Sequence, residues 1–310
     1  MIRVLKAGLQ TTVQDLGRPG FGLLGVSSGG AADAHALRIG NLLLGNEEGA
    51  AALEATLLGP TLAFEEAALA VLAGGTFDTT LDGRPVEPWK LVEVPAGATL
   101  AVGPTRSGAR VLVCVAGGIA VPTVLGSAST DLAGRFGGLH GRPLAVGDRL
   151  VAGRPPGDPR GSRVDPVAAG WTGTSRLLRA TPGTQESWFA EEARAAFWEG
   201  RFRVLESSDR KGLRLSGPHV APPSRQLLTE GVPFGSVQVP ADGQPIVLFV
   251  DQQTTGGYPK IASVVSADRS ALSQARPREE VRFLRVTFGE AREALLDQER
   301  RLASGEAFLP

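Results

Sequence analysis

Turns and short apolar runs follow one another in the same order in the two halves of the chain. This internal repeat restricts the possible folds more than any other feature of the sequence. In the first half, the apolar run Val111–Val115 leads to Gly117-Gly118. In the second half, Pro245–Val250 leads to Gly256-Gly257. Both copies continue through small residues to an aspartate, and then to a further turn and strand. Such self-similarity indicates repeated structural units, so we predict two β domains of related topology.

Short apolar runs separated by turn residues fill most of the chain. With 41 glycines and 22 prolines among 310 residues, turns are frequent enough to keep the elements short, as in β-barrels and sandwiches. We therefore predict a mostly β chain with a few short helices. At the start of the chain, Val4–Gln10 and Thr11–Val13 are predicted to pair as strands.

Helical periodicity and capping residues predict three helices, at Asp33–Leu44, Glu186–Trp198 and Gly289–Leu302. The proline-rich segment Gly153–Gly161 has no periodicity and is predicted to be a linker. The predicted domains are therefore residues 1–155, an N-terminal β-barrel domain with a helical insertion, and residues 165–310, a C-terminal β-barrel domain.

Charge and cysteine usage narrow the function classes. The 32 basic and 32 acidic residues cancel, so no net field attracts nucleic acid or an anionic membrane. No apolar run approaches the length of a membrane span or a signal peptide, and the single cysteine excludes an internal disulfide framework. We expect a cytoplasmic protein that binds neither nucleic acid nor membrane. Its histidines, at positions 35, 140 and 219, share no metal-ligand spacing, so we expect no metal in this chain.

The segment Asp251–Asp268 contains the densest group of chemically versatile side chains. Tyr258 is the only tyrosine, and Lys260 is one of four lysines. Ahead of them, hydrogen-bonding side chains and paired glycines follow the end of a predicted buried strand. These candidate substrate-binding residues are Gln252, Gln253, Thr254, Thr255, Gly256 and Gly257. The alternative interpretation is an ordinary hairpin loop, with Gly-Gly as its turn.

Comparison of the two copies favours a binding role for this segment. Around its Gly-Gly turn the first copy has small or apolar residues, so the turn itself needs only the glycines. The first copy instead carries an insertion, Gly134–Gly141, which is a candidate mobile loop that places Arg135 for substrate binding. Two acidic residues of the first half, Asp15 and Asp33, are candidate acid–base groups. Asp33 follows the glycine-rich loop Ser27–Ala32, which is either an anion cradle or only a helix cap.

Several motifs along the chain resemble the biotin-dependent carboxyltransferase, or allophanate hydrolase subunit 2, family. The resemblance runs from about Leu9 to Phe283. One departure is visible at Gly30–Ala34, where relatives read Gly-Ala-Met-Asp-Pro and this chain keeps only the aspartate of the last three. The motifs are Thr12–Gly20, Leu42–Asn46, Ser127–Leu132, Ser208–Arg214 and Gln252–Ile261.

The resemblance implies cyclophilin-like β-barrels in tandem and an active site shared with a type 1, or B-type, partner in a hetero-oligomer. Three functions follow from it. One is that of the C-type component of an ATP-dependent 5-oxoprolinase, a hydrolase that opens a small amide substrate, with ATP used through the complex. The second is a carboxyltransferase component of the urea carboxylase type, with biotin carried by another chain. The third is a non-catalytic antagonist of a kinase inhibitor.

Both chemistries require a positive charge and hydrogen-bond donors at a developing oxyanion. Lys260, Tyr258 and the Gly256-Gly257 amides can supply these groups. Asp15 or Asp33 is then the acid–base candidate from the other half of the chain. We predict that these groups form the catalytic site.

Overall fold

The computed structural model describes every residue from Met1 to Pro310, and these residues divide into two compact units. Unit 1 comprises Met1–Arg18, Gly29–Trp171 and Glu299–Pro310, and unit 2 comprises Pro19–Ser28 and Thr172–Gln298. The segment predicted to be the linker lies within unit 1. It is fastened there because the Gly153 amide donates to the Gly118 carbonyl and the Arg160 amide to the Leu43 carbonyl.

Unit 1 is built on a ten-stranded, nearly closed antiparallel sheet. Its strands, with the short β11 outside the sheet, are β1 (Ile2–Lys6), β2 (Gln10–Gln14), β3 (Ala52–Thr56), β4 (Thr61–Phe64), β5 (Ala68–Leu81), β6 (Arg84–Pro85), β7 (Leu91–Val94), β8 (Thr99–Val115), β9 (Ile119–Ala120), β10 (Arg149–Ala152) and β11 (Arg163–Val164).

The long strands β5 and β8 form the centre of this sheet, with Val71 opposite Cys114 and Leu81 opposite Leu100. The predicted pairing of the first two strands is wrong. Strand β1 pairs with β4 and β10, whereas β2 pairs with β3. Nearly closing a sheet brings strands together that are distant in sequence, and this overrides proximity along the chain.

Helix α1 (Ala34–Leu43) covers one face of the sheet. As predicted, Asp33 is its N-cap, and Gly45 follows it in the left-handed region with φ 73°. Apolar side chains of α1 pack against β5 and β8 in one core, while the opposite face of the sheet encloses a second core around Leu53, Leu100 and Val113.

Unit 2 contains a closed seven-stranded barrel and a separate two-stranded ribbon of β15 and β18. Its strands and helices are β12 (Leu177–Pro182), α2 (Glu191–Trp198), β13 (Phe202–Val204), β14 (Gly212–Ser216), β15 (Glu230–Gly231), β16 (Ser236–Gln238), β17 (Ile246–Leu248), β18 (Thr255–Gly256), β19 (Lys260–Val264), α3 (Arg269–Ser273) and β20 (Glu280–Arg285).

The barrel order is β12-β19-β16-β17-β14-β13-β20, and only the closing contact of β12 with β20 is parallel. The predicted helix Glu186–Trp198 is broken. A short 3-10 turn, Glu186–Trp188, is followed by Phe189 in extended conformation before α2 begins. Phe197 of α2 stacks on Phe283 of β20 with ring centroids 4.6 Å apart, which fixes the helix to the barrel.

The chain closes with α4 (Phe288–Ser304) and β21 (Phe308–Leu309). Helix α4 extends the predicted Gly289–Leu302 by a residue or two at each end. Strand β21 pairs with β11, with Phe308 opposite Val164, so the last residues belong to unit 1 rather than to the C-terminal barrel. The predicted fold class, mostly β with short helices and two β-barrel domains, is confirmed. None of the helices has the length and apolarity needed to cross a membrane.

Candidate functional site

Lys260 is buried at the start of β19, where its residue is only 4% exposed. It lies opposite Gln238 of β16, and its backbone amide donates to Gln185 Oε1 at 3.2 Å. The loop that carries Gln185 passes so close that a side chain at Gly183 would collide with the Lys260 carbonyl. The backbone around the lysine is therefore fixed from two sides.

The ammonium group of Lys260 forms an ion pair with Glu230 Oε1. Gln185 Nε2 donates to the same oxygen at 3.0 Å. The hydrogen bond from Lys260 is the main cause that holds the pKa of Glu230 below its usual range. Because a buried ammonium is costly unless it is paired, Glu230 gives Lys260 the counter-charge that allows it to remain buried.

Gln238 is the fourth polar group of this cluster, and it is 1% exposed. Its Nε2 atom is buried and has no hydrogen-bond partner. A Cβ atom at Gly256 would lie 2.6 Å from Nε2, so the end of the glutamine side chain packs directly against this position of β18. Gly256 in turn lies opposite Glu230 of β15.

A buried ion pair holds the loop that precedes Lys260. Arg210 Nε donates to Asp251 Oδ2 at 2.7 Å, and the Asp251 amide donates to the Arg210 carbonyl at 2.7 Å. Beyond Asp251, the Oε1 atom of Gln252 is buried without a partner, whereas Gln253 and Thr255 are exposed. The Thr254 carbonyl accepts from the Val232 amide, which ties the loop to the β15 side of the ribbon.

Tyr258 projects from this loop and is half exposed. Gly257 lies beside the loop of Leu227 and Thr229, since a Cβ there would be 3.7 Å from the Leu227 carbonyl oxygen. On that loop Leu228 is 90% exposed. An aromatic ring and an aliphatic side chain are thus presented to solvent from neighbouring loops.

Asp15, in unit 1, uses both carboxylate oxygens to organise a turn. Oδ1 accepts from the Gly17 amide at 2.7 Å and from the hydroxyls of Ser127 and Ser129 at 2.6 Å, and Oδ2 accepts from the Ala128 amide at 2.6 Å. Four donors converge on one carboxylate, which joins the start of the chain to the segment after β9.

Asp33 is also held by donors from its own unit. Oδ1 accepts from the Ala36 amide at 3.1 Å as the helix cap, and Oδ2 accepts from Trp171 Nε1 at 2.9 Å. The amides just before it are occupied as well. Ala31 donates to the Asp15 carbonyl at 2.8 Å, and Ala32 donates to Glu54 Oε2 at 2.6 Å. These two amides therefore stabilise the fold instead of facing outward for an anion.

The insertion of the first copy is a series of turns closed by its own hydrogen bonds. Asp131 and Phe136 exchange backbone bonds, and the Gly141 amide donates to Gly137. Arg135 lies at the exposed side of these turns with φ 56°, and its guanidinium makes no hydrogen bond or ion pair. Its positive charge is available to a ligand or partner.

The structure thus brings Lys260 and Gly256 together with three side chains that the sequence analysis did not select: Gln185, Glu230 and Gln238. These residues come from separate segments and form no motif, so no sequence signal identified them. Asp15 and Asp33 lie in unit 1 and Lys260 in unit 2. A common site for these residues stays a prediction.

The cluster can stabilise negative charge and can hold an amide. It offers an ammonium and an unused amide donor, the kinds of group that stabilise an oxyanion, beside an ionised carboxylate that can accept a hydrogen bond from an N–H group. No group of three or more His, Cys, Asp or Glu side chains is arranged to hold a metal ion.

Comparison with known proteins places the chain in a family. The model of the carboxyltransferase domain, subdomain A and B, matches residues 24–285. The C subunit of the 5-oxoprolinase of Escherichia coli is 42% identical over 307 residues, covering 97% of this chain and 96% of that protein. Urea amidolyase of Saccharomyces cerevisiae is 30% identical over 314 residues, covering 94% of this chain but 17% of the relative.

Structural comparison gives the same assignment. The crystal structure of the K. lactis urea amidolyase superimposes with a TM-score of 0.90 and 28% identity, covering 100% of this chain and 20% of that one. A match over most of the chain in both sequence and structure cannot come from barrel topology alone. The chain belongs to the family of the carboxyltransferase domain, subdomain A and B.

Proposed function

We propose that this chain is the C-type component of an ATP-dependent 5-oxoprolinase complex, in which a small cyclic amide is opened to an amino acid. The observation that carries the proposal is the similarity to the C subunits of two 5-oxoprolinases along nearly the whole of both chains. Because those relatives are named as subunits, they support a hetero-oligomer, and we propose a B-type partner. ATP enters as a substrate of the whole complex.

The chemistry assigns a role to Lys260. A lactam carbon is unreactive until its oxygen is phosphorylated by ATP, which releases ADP. Water then attacks that carbon, the ring C–N bond breaks, and a second water releases phosphate from the acyl phosphate to leave glutamate. Negative charge develops on the substrate oxygen during the attack. An ammonium held by Glu230 in a buried setting stabilises that charge more strongly than it would in water. Tyr258 and the loop from Gln252 to Gly257 form the accessible side of this site. Asp15 and Asp33 are weaker candidates for proton transfer because their oxygens already accept hydrogen bonds.

Reconstitution tests the proposal. The chain is copurified with its partner proteins, and glutamate formation from 5-oxoproline is measured with and without ATP. We expect ATP-dependent product, and we expect Lys260→Ala to lower kcat by about 100-fold or more, the loss typical of removing an oxyanion-stabilising group. Lys6→Ala, a change of an exposed lysine outside the family motifs, is the matched control and should retain activity.

Carboxyl transfer is the second candidate, favoured by the similarity of the whole chain to part of urea amidolyase. Biotin would arrive on another chain, and its ureido ring presents the kind of N–H and carbonyl edge that the Glu230–Gln238 region can bind. A reconstituted complex that is inert toward 5-oxoproline but accepts a biotinylated carrier would favour this function. Loss of partner affinity alone in Lys260→Ala would favour a non-catalytic binding role.

A further inference from the structure

Gln238 carries a buried donor for which the protein provides no acceptor. Its Nε2 atom is enclosed, and the residue is 1% exposed. A buried donor without a partner destabilises a fold, because it loses its water and gains nothing in return. Native proteins retain few such groups, and each requires an explanation such as a ligand or water. In this chain the orphan donor lies beside a candidate site.

The position of this donor is defined by β18. Nε2 occupies the space that a side chain at Gly256 would take, at 2.6 Å from the ideal Cβ position. Gly256 is paired with Glu230 across the β15–β18 ribbon, and Lys260 is paired with Gln238 across β16 and β19. Directly paired residues have Cβ atoms about 5 Å apart, so the donor, the carboxylate and the ammonium share one small region.

Glu230 supplies the complementary acceptor. Its Oε1 atom receives Lys260 and Gln185, whereas Oε2 has no protein partner. The side chain is 40% exposed, so Oε2 can be reached from solvent. An ionised carboxylate with one oxygen already bonded and one oxygen open is an acceptor for a ligand N–H group.

We propose that Gln238 and Glu230 together bind the edge of a cis-amide in a small ring. Gln238 Nε2 donates to the ring carbonyl oxygen, Glu230 Oε2 accepts from the adjacent ring N–H, and Lys260 lies beside the carbonyl. A lactam and a cyclic urea both present this edge, whereas an open-chain trans amide places its two groups on opposite sides. The inference rests on the proposed function for the location of the substrate.

Ligand entry requires the ribbon to move. Gly256 covers Gln238 Nε2, and the ribbon consists of two-residue strands outside the barrel, a length that is marginal without other contacts. The Lys260–Glu230 and Gln185–Glu230 bonds hold it in place. Glu230, the proposed acceptor of the ring N–H, is therefore also the residue whose bonds hold the ribbon in place.

The test compares Gln238→Leu with wild type in the full chain and in the reconstituted complex. Equilibrium binding is measured with 2-pyrrolidone, 2-imidazolidinone and N-methyl-2-pyrrolidone. Wild type should prefer the two ligands that retain a ring N–H by about 10-fold or more, since an unpaired Glu230 acceptor penalises the methylated ring. The Gln238→Leu protein should lose about 10-fold in affinity for 2-pyrrolidone.

A second readout separates binding from folding. Removing an orphan donor should raise the Tm of the ligand-free Gln238→Leu protein by about 2 °C, whereas loss of a merely structural glutamine lowers it. Gln298→Leu is the matched control, because Gln298 is buried and its Nε2 donates to the Ala267 carbonyl at 3.2 Å. That change should lower Tm and leave ligand affinity as it was.

The outcomes distinguish this inference from the proposed function. Equal affinity for 2-pyrrolidone and its N-methyl derivative, or wild-type lactam affinity in Gln238→Leu, overturns the inference even if the complex opens 5-oxoproline. A complex inert toward 5-oxoproline that still shows the predicted ligand preference overturns the proposed function, and the inference then stands for a cyclic urea.

Discussion

At the scale of single residues, both carboxylate oxygens of Asp33 accept hydrogen bonds that stabilise the fold. One oxygen caps α1 and the other accepts the Trp171 indole N–H at 2.9 Å, in a residue that is 1% exposed. A general base needs a lone pair directed at its substrate. Here the principal hydrogen bonds are directed at the scaffold, so the expected effect of substitution is on stability.

We predict that Asp33→Asn lowers the free energy of unfolding by about 1–3 kcal/mol. The Asn carbonyl can keep the helix cap, but its NH2 group then faces the indole N–H, and two donors oppose each other. Denaturant titration followed by tryptophan fluorescence measures the loss. The folded variant should retain the activity of the complex.

A double-mutant cycle with Trp171→Phe checks the cause. Because phenylalanine removes the indole donor, Asp33→Asn should cost less in that background than in the wild type. Equal costs in both backgrounds, or a folded but inactive Asp33→Asn complex, would contradict the structural role.

The sequence was sufficient to select Lys260 and the Gly-Gly pair, because an isolated lysine among polar residues after an apolar run stands out in composition. It could not select Gln185, Glu230 or Gln238. Only the fold brings them beside Lys260: Gln238 by strand pairing, Glu230 by its ion pair and Gln185 by a hydrogen bond from a loop. Nor could it separate a capping role from a catalytic one for Asp33, because the glycine-rich loop before this residue suits either role.

At the scale of elements, helix α1 lies so close to the sheet that one of its residues has no room for a side chain. A Cβ at Gly40 would lie 2.8 Å from Cys114 Sγ and 2.9 Å from Ala73 Cβ. Both neighbours are in the long central strands and are fully buried. Close approach, rather than backbone freedom, requires glycine here.

We predict that Gly40→Ala destabilises unit 1 by about 1–3 kcal/mol, the usual cost of overpacking a core. Helix propensity alone would favour alanine by about 1 kcal/mol, so the sign of the measured change decides between the two effects. Gly289→Ala in α4 is the control, since the nearest atom to its added Cβ is 3.8 Å away. Chemical denaturation of both variants should show a loss only at Gly40.

The elements that the sequence predicted well are those with local signals. The prediction of α1 was correct because Asp33 and Gly45 mark the ends of the helix. The prediction of α4 was correct because apolar residues recur at helical spacing over a long segment. The strand pairing of β1 and β2 was predicted wrongly, because closing the sheet places strands side by side that are not neighbours in sequence. The break at Phe189 has no proline or glycine near it, so the sequence contains no local signal that marks it.

At the scale of the whole molecule, Cys114 reports on the integrity of unit 1. The thiol is fully buried between α1 and the sheet, and burial raises its pKa to about 12. A thiol that is neither accessible nor ionised does not react with alkylating reagents. Its reactivity therefore depends on opening of the core.

We predict that the native protein resists alkylation at pH 8 and becomes labelled only as the core opens. In a denaturant series, the labelled fraction after a short pulse should follow the loss of circular dichroism from the sheet. As the only cysteine, Cys114 needs no second substitution for the experiment. Rapid labelling without denaturant would show that unit 1 opens locally at α1, contrary to this expectation.

The return of Glu299–Pro310 to unit 1 has a consequence for how the protein is made. Leu302 and Ala307 are part of the core that α1 covers, and β21 is the partner of β11. A ribosome must therefore translate residues 172–298 before it can deliver these last core side chains. The nascent chain carries an unfinished first unit, with apolar surface open to solvent or to chaperones, throughout that interval. The unit that is begun first is completed last.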